Sequence, residues 1–506
     1  MRLQVSLLSA LSLASGFAST VAQSEVTGAG FPNLKQPVTT KALERLINRK
    51  NLLGHAEQLL KFSELSNGTR AFGSKGHEAT IHYVKKLLER TGYYDVEFQT
   101  FTWPYSESTS KLTVDGQDVW TSTFTYAPGG DVTAPIALVA NDGCQASDYP
   151  VLTGKVALIK RGNCDFGLKI AFAGGAGASG AIIYNNVDGR PTGGTLAQPT
   201  RPEGPYVPSA YITTADAAGF IEKINAGTEV SATIHATVIN EDRSTSNVIA
   251  TTKQGDRNNV IMAGAHSDSV PAGPGLNDDG SGSIAILEVA LNLAKFRGPK
   301  NAVRFAWWTA EEFGLVGSEH YVTQLAEAER QKVALYLNFD MIASPNSGYF
   351  VFDGDGNATN VPGPSGSEVI ESLYRSYFDS HSIKTGSAVF GGSSDYQPFV
   401  DVGIPSGGLM TGAGGVKTAE GAEWWGGEAG VAYDVCYHQK CDNIQNLRVD
   451  VWERNAKAIA HSIATYANSI QGIPRTTRPP VSSLRVSKLS YEERIHLTCD
   501  HEDDAA

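Results

Sequence analysis

The stretch Gly264-Ala265-His266-Ser267-Asp268-Ser269-Val270, taken with Gly275-Leu276-Asn277-Asp278-Asp279-Gly280-Ser281-Gly282 just after it, decides the reading of this chain. It follows the apolar run 260–265, so an imidazole stands at the carboxyl end of a strand and carboxylates stand on a glycine-rich loop. A helix is expected from Ser281, with Ile284, Leu287, Leu291 and Ala294 on one face, holding that loop against the strand. Two further runs repeat the pattern: 303–309 leads to Glu311-Glu312, and 333–339 leads to Asp340. Strand, loop and helix in repetition predict an α/β fold, a mostly parallel mixed sheet flanked by helices. In open sheets of this kind ligands bind beyond the carboxyl ends of the strands, and each of these runs delivers a metal-type side chain there. His438 adds a second imidazole. Such nitrogen and oxygen donors suit Zn2+, and a site of three protein ligands keeps a position for a reactive water. Five ligands drawn from His266, the loop carboxylates, Glu311-Glu312, Asp340 and His438 can give two ions three each only if one carboxylate is shared.

Upstream the texture changes. Residues 41–103 carry helical signals, with Ile81, Val84, Leu87 and Leu88 on one face and Gly92 placed to end the helix, and a strand follows at 96–101. His77 and His82 lie in or beside that helix, where packing or solvent contact is the expected role. From about Val119 short apolar runs alternate with Gly and Pro, at 136–139, 155–159, 180–184 and 206–212, with a helix at 166–176. That is a small separate domain. Trp307-Trp308 and Trp424-Trp425 are expected to pack the core and a cleft wall. The chain closes with a Pro- and Arg-containing stretch, 474–480, and a polar tail holding His496, Cys499 and His501, expected to be mobile and solvated.

The length of 506 residues implies two or three domains. Lys plus Arg is 41 against Asp plus Glu 53, a net charge of -12 that repels phosphate backbones and excludes nucleic acid as a partner. The opening residues pass from Arg2 through the apolar run 7–17 to Thr20-Val21-Ala22, the pattern of a secretory signal peptide cleaved near Ala22. That run is short of the roughly 20 residues a membrane span needs, and no later run is long enough. The expected product is therefore secreted and extracellular, with the vacuole as the alternative. Of the five cysteines, spacing pairs Cys144 with Cys164 and Cys436 with Cys441, leaving Cys499 over. Asn67 and Asn357 open glycosylation sequons.

The phrase running from Gly154 through Val156-Ala157-Leu158-Ile159 to Cys164, then the helix and Gly180-Ala181-Ile182-Ile183-Tyr184, resembles the protease-associated domain. The ligand phrases, with Cys436-Tyr437-His438-Gln439-Lys440-Cys441-Asp442, resemble the M28 family of zinc metallopeptidases, in the aminopeptidase branch that includes the secreted fungal leucine aminopeptidases. The resemblance implies a signal peptide at 1–22 and an N-terminal part of the peptidase domain at 23–118, whose start has the place of a pro-segment. It implies a protease-associated domain at 119–240, a zinc peptidase domain at 241–472 and a tail at 473–506. It implies two Zn2+ per chain, with His266 and Asp340 on one, Glu312 and His438 on the other, and Asp278 bridging. Glu311 would be the general base, Asp268 would orient His266, and Tyr437 would donate to the developing oxyanion. The implied substrates are peptides with a free N-terminus and an apolar first residue such as leucine, and the implied state is a monomer.

The chain departs from the family at Ser394-Asp395-Tyr396-Gln397-Pro398-Phe399, where relatives often carry Ser-Asp-His, and it lacks an Arg just upstream. Two other functions stand beside the aminopeptidase. A peptidase fold that has lost catalysis could bind or sort proteins, which the complete ligand set argues against. A carboxypeptidase would need clustered arginines, and near the motifs there is only Arg304.

Overall fold

A computed structural model of the chain describes residues 36–475, apart from 187, 188, 190–193 and 197–199. The expected signal peptide, Cys499 and residues 476–506 of the tail lie outside the described residues.

The apolar run that ends at His266 forms the strand Asp256–His266. It pairs in parallel with Asn301–Trp308 on one side and Val333–Phe339 on the other. Ser406–Met410 extends the sheet in parallel, then Phe350–Phe352 antiparallel, with Gly386–Ala388 at the edge. Every residue of Val333–Phe339 is buried, because helices cover both faces. Helix Gly280–Leu293 is buried at every position except Leu291, which is partly buried against the core, so burial extends well beyond the one face expected from the sequence. Its neighbours explain the difference: Arg49–Ser63 and Val449–Asn468 pack on it from outside while the sheet covers it from inside, so it is apolar nearly all round.

A second parallel set, Gly130–Leu138, Val156–Lys160, Gly180–Tyr184 and Ser209–Ile212, makes the other half of a 13-stranded sheet. Alternate residues face opposite ways, so Leu158 and Ile182 enter one cluster while Ile159 and Ile183 enter another. Cys144 and Cys164 are bonded here, and Cys436 is bonded to Cys441 in the first half.

The two sets are joined by a ribbon. Tyr94–Val114 pairs antiparallel with Ser231–Thr252 along its whole length, from Tyr94 opposite Thr252 to Val114 opposite Ala232. One end of Ser231–Thr252 pairs with Asn301–Trp308 and the other with Gly130–Leu138. The sequence signal stopped at Phe101, because Pro104 and the polar run Ser106-Glu107-Ser108-Thr109-Ser110-Lys111 hide a strand that gains its order from its partner. At the other terminus Ile473 is 6% exposed and Arg475 donates to the carbonyls of Asn258, Gln331 and Val333. Of the tail expected from 473, the described residues Ile473 and Arg475 are thus packed and hydrogen-bonded. No helix of the described residues is long and apolar enough to cross a membrane.

Candidate metal centre

Each strand end delivers its residue to the same edge. His266 is the last residue of Asp256–His266, and its amide donates to Asp279 Oδ2 at 3.2 Å. Asp279 caps helix Gly280–Leu293 through the Gly282 amide at 2.8 Å and also accepts from the Met341 amide at 3.3 Å. Its neighbour Asp278 is left to face the site. The amides of Asn277 and Asp278 donate to Asp442 at 2.8 and 3.0 Å, which ties the Asp278 turn to the loop carrying His438. That loop is closed by Cys436–Cys441, and the Tyr437 ring stacks on His438 with centroids 3.8 Å apart.

The glutamates are not presented by the strand itself. Glu311–Phe313 is a turn of 3-10 helix entered through Ala310 at φ 54°. Adjacent side chains on such a turn diverge by about 120°, which still separates Glu311 from Glu312. The Glu311 amide donates to Asp268 Oδ1 at 3.2 Å. Asp340 directly follows Val333–Phe339, and its Oδ2 accepts from Ser394 Oγ at 2.7 Å.

These side chains converge. His266 Nε2 lies 3.0 Å from Asp278 Oδ1, 3.6 Å from Asp340 Oδ1 and 3.8 Å from Glu311 Oε2. His438 Nε2 lies 3.1 Å from Asp278 Oδ2 and 3.0 Å from Glu312 Oε2. Asp278 thus turns one oxygen to each imidazole. Asp268 Oδ1 stands 3.7 Å from His266 Nδ1, beyond hydrogen-bond length. His266, Asp278, Glu311 and Asp340 are each at most 5% exposed.

Burial opposes charge on His266, yet Glu311, Asp340, Asp268 and Asp278 outweigh it and hold the imidazolium well above the ordinary histidine range. Burial likewise opposes ionised Asp278, but His266 and His438 hold its carboxyl far below the usual carboxylate range. Buried Glu311 Oε1, Glu312 Oε1 and Asp340 Oδ1 have no hydrogen-bond donor. A buried carboxylate oxygen without a donor is expensive unless a cation faces it. The donor set, two imidazoles and several carboxylates in contact, fits a metal such as zinc. A third group, Asp353, Asp355 and Glu371, has no imidazole, and Arg375 with the amides of Gly354 and Thr359 engages Glu371 and Asp353.

Other expectations find their places. His77 is 1% exposed and its Nε2 lies 2.9 Å from Ser267 Oγ; the His82 ring packs edge-on against Phe98. Arg304 is engaged by Thr251 and by the Tyr321 hydroxyl. Trp307 and Trp308 are wholly buried. Tyr396, where relatives often have His, turns its hydroxyl to the amides of Gly392 and Ser393. Asp279, Asp442 and Arg70 were missed as supports. Asp279 had a signal, a helix cap before Gly-Ser-Gly, whereas Arg70 lies about two hundred positions from the loop it touches and had none.

Comparison with known proteins agrees with this architecture. Residues 247–463 match peptidase family M28 and residues 132–219 match the PA domain. A protein described as probable leucine aminopeptidase 2 of Aspergillus fumigatus is 48% identical over 87% of this chain and 88% of its own length. Leucine aminopeptidase 2 of Trichophyton rubrum is 45% identical over 93% of this chain and 94% of its own. Among solved structures, an aminopeptidase from Aneurinibacillus sp. strain AM-1 superposes with a TM-score of 0.65 at 26% identity, covering 87% of this chain and 98% of that one. A Bacillus subtilis zinc aminopeptidase shares the fold at a TM-score of 0.61 and 23% identity, covering 88% and 99%. With relatives this similar along nearly the whole length of both chains, the protein belongs to peptidase family M28 and carries a PA domain ahead of its metal-type residues.

Proposed function

We propose that the chain is a di-zinc aminopeptidase that removes the N-terminal residue of peptides with a free amine, favouring apolar residues such as leucine. The observation that carries the reading is Asp278, with its two oxygens 3.0 and 3.1 Å from two imidazoles that each belong to a further carboxylate partner. His266 and Asp340 would hold one ion, Glu312 and His438 the other, and Asp278 would bridge them. Bound zinc supplies a water acidic enough to be hydroxide near neutral pH and polarises the scissile carbonyl.

Glu311 would take the proton from that water and pass it to the leaving amine. In the metal-free chain, burial, with Asp395, Asp340 and Glu312 adding to it and His266 opposing, holds its carboxyl well above the ordinary range. Tyr437, fixed by its stack on His438, would donate to the developing oxyanion, and Asp268 would orient His266. The acidic edge also suits a substrate ammonium, which aligns the first peptide bond. Arg304, already engaged by Thr251 and Tyr321, leaves little to read a terminal carboxylate. Limits of 119–240 for the protease-associated region, secretion after cleavage near Ala22 and glycan attachment at the exposed Asn67 and Asn357 complete the reading.

One experiment tests it: metal content measured beside cleavage of one tripeptide in free, N-acetylated and C-amidated forms. About two zinc ions per chain, a large fall on acetylation and little change on amidation are expected. Equal cleavage of acetylated and free peptide would replace the aminopeptidase by an endopeptidase, and selective loss with the amide would make it a carboxypeptidase.

A further inference from the structure

His266 and Asp278 must face each other across a connection, 267–277, that is turn and coil throughout. Nothing in its own backbone pattern fixes its shape, and a coil of this length has ample freedom to lose. It is nonetheless buried at both ends, 267–269 and 273–277, with only 270–272 reaching toward the surface. The grip comes from elsewhere in the chain.

Arg70 is fully buried, at 0% exposure. Its Nη1 donates to the Ser267 carbonyl, its Nε to the Pro274 carbonyl at 2.8 Å and its Nη2 to the Gly275 carbonyl at 2.6 Å. Its backbone amide donates to Ser269 Oγ at 2.9 Å. One planar guanidinium therefore holds the connection just after His266 and again just before Asp278. Gly275, at φ +59°, is packed so closely that a Cβ there would meet the Asp278 carbonyl at 2.3 Å. The turn before Asp278 is thus set by contact as well as by hydrogen bonds. Thr69 Oγ1 donates to the Val270 carbonyl at 2.8 Å, and His77 meets Ser267 Oγ at 2.9 Å, so the segment around Arg70 braces the connection along its length.

The same side chain is a fixed positive charge beside the centre. Burial acts first on it and lowers its hold on the proton, with the carboxylates of Asp268, Asp442, Asp279 and Asp278 opposing. A lysine could supply the charge, but its single ammonium cannot reach three carbonyls in one plane.

We propose that Arg70 is a positioning residue of the metal centre: it fixes the 267–277 connection so that His266 and Asp278 converge. This rests on the two-zinc reading. The test is to purify the full chain carrying Arg70→Met or Arg70→Lys beside wild type, and to measure three things. These are zinc affinity by competition with a chelator, the melting temperature with and without zinc, and kcat and KM. Arg70→Met is expected to weaken zinc by about 10- to 100-fold, the range for residues that orient metal ligands. The zinc-dependent rise in melting temperature should shrink, and kcat should fall while KM stays within about threefold. Arg70→Lys should recover part of the zinc affinity. A folded Arg70→Met with wild-type zinc affinity, whatever its melting temperature, overturns the proposal. So does failure of both variants to fold, which would make the guanidinium a core element only. A wild-type chain that binds no zinc would instead overturn the two-zinc reading, so the failures are distinguishable.

Discussion

In the half of the sheet built on Val156–Lys160 and Gly180–Tyr184, a strand leads toward Cys164 and a buried ammonium, Lys169, that is satisfied by the carbonyls of Asp142 and Gly162. In the half built on Asp256–His266, Asn301–Trp308 and Val333–Phe339, the corresponding edge leads to Glu311, Glu312 and Asp340, each with a buried oxygen that has no donor. Both halves use parallel strands with apolar interiors. Unpaired buried polar groups cost about 1 to 3 kcal/mol each. Among the described residues, the first half leaves hydroxyls such as Ser122 and Ser209 and one Arg201 nitrogen without a partner, whereas the second leaves carboxylate oxygens, which a cation would satisfy. Catalytic capacity here follows from that imbalance rather than from parallel strand pairing, which both halves use.

The comparison breaks first on metal removal. Chelation should abolish peptide cleavage and raise amide exchange around 266–278, leaving exchange at 156–184 unchanged. Full activity after demonstrated removal of the metal would show that the orphaned carboxylates serve something else. Next in size, Glu311→Gln should lower kcat by about 10² to 10⁴ with metal retained, while Glu312→Gln should weaken metal binding. Equal metal loss in both variants would mean that their roles are misassigned. A smaller effect sharpens the contrast from the other side. Replacing Cys144 and Cys164 by Ser should destabilise that half by about 3 kcal/mol, read by local proteolysis, without changing kcat on a dipeptide. A fall in kcat would couple the two halves.

The smallest effect is a pH dependence. Burial pushes the His77 imidazole down to about 4 from an ordinary 6.5, with Arg70 and His266 acting the same way and Asp268 opposing. The folded chain refuses a proton that the unfolded chain accepts. Its contribution to stability is therefore complete above pH 6.5 and is lost as the pH falls toward 4. Near pH 5.5 the loss is about 1 kcal/mol. Denaturant titration of His77→Gln should show a correspondingly flatter fall between neutral and acid pH, and an unchanged slope would remove His77 from the account.

Strand ends were legible in the sequence because an apolar run that stops at His266 or Asp340 marks both an element and its polar terminus. Glu311 and Glu312 were legible as residues but not as a 3-10 turn, since that turn depends on Ala310 taking a left-handed conformation that its own side chain does not announce. The long ribbon was illegible beyond Phe101 because its order is cross-strand, and an isolated Ser/Thr-rich segment shows no periodicity. The near-complete burial of helix Gly280–Leu293 was not legible, because periodicity reports one apolar face and not the neighbours that cover the rest. Arg70 was illegible for a different reason. Its partners are backbone carbonyls, which have no letter in the sequence.

The ribbon has a consequence for inheritance. The chain runs outward along Tyr94–Val114 and back along Ser231–Thr252, so the two are neighbours at every rung of the ladder. Loss or exchange of the intervening segment would leave two strand stumps already in register, which a turn of about two residues can close. Everything between them can be shortened, duplicated or replaced by a foreign sequence without rerouting the strands that deliver His266, Glu311 and Asp340. The accessory half is thereby free to diversify as a cassette while the hydrolytic half stays under constraint.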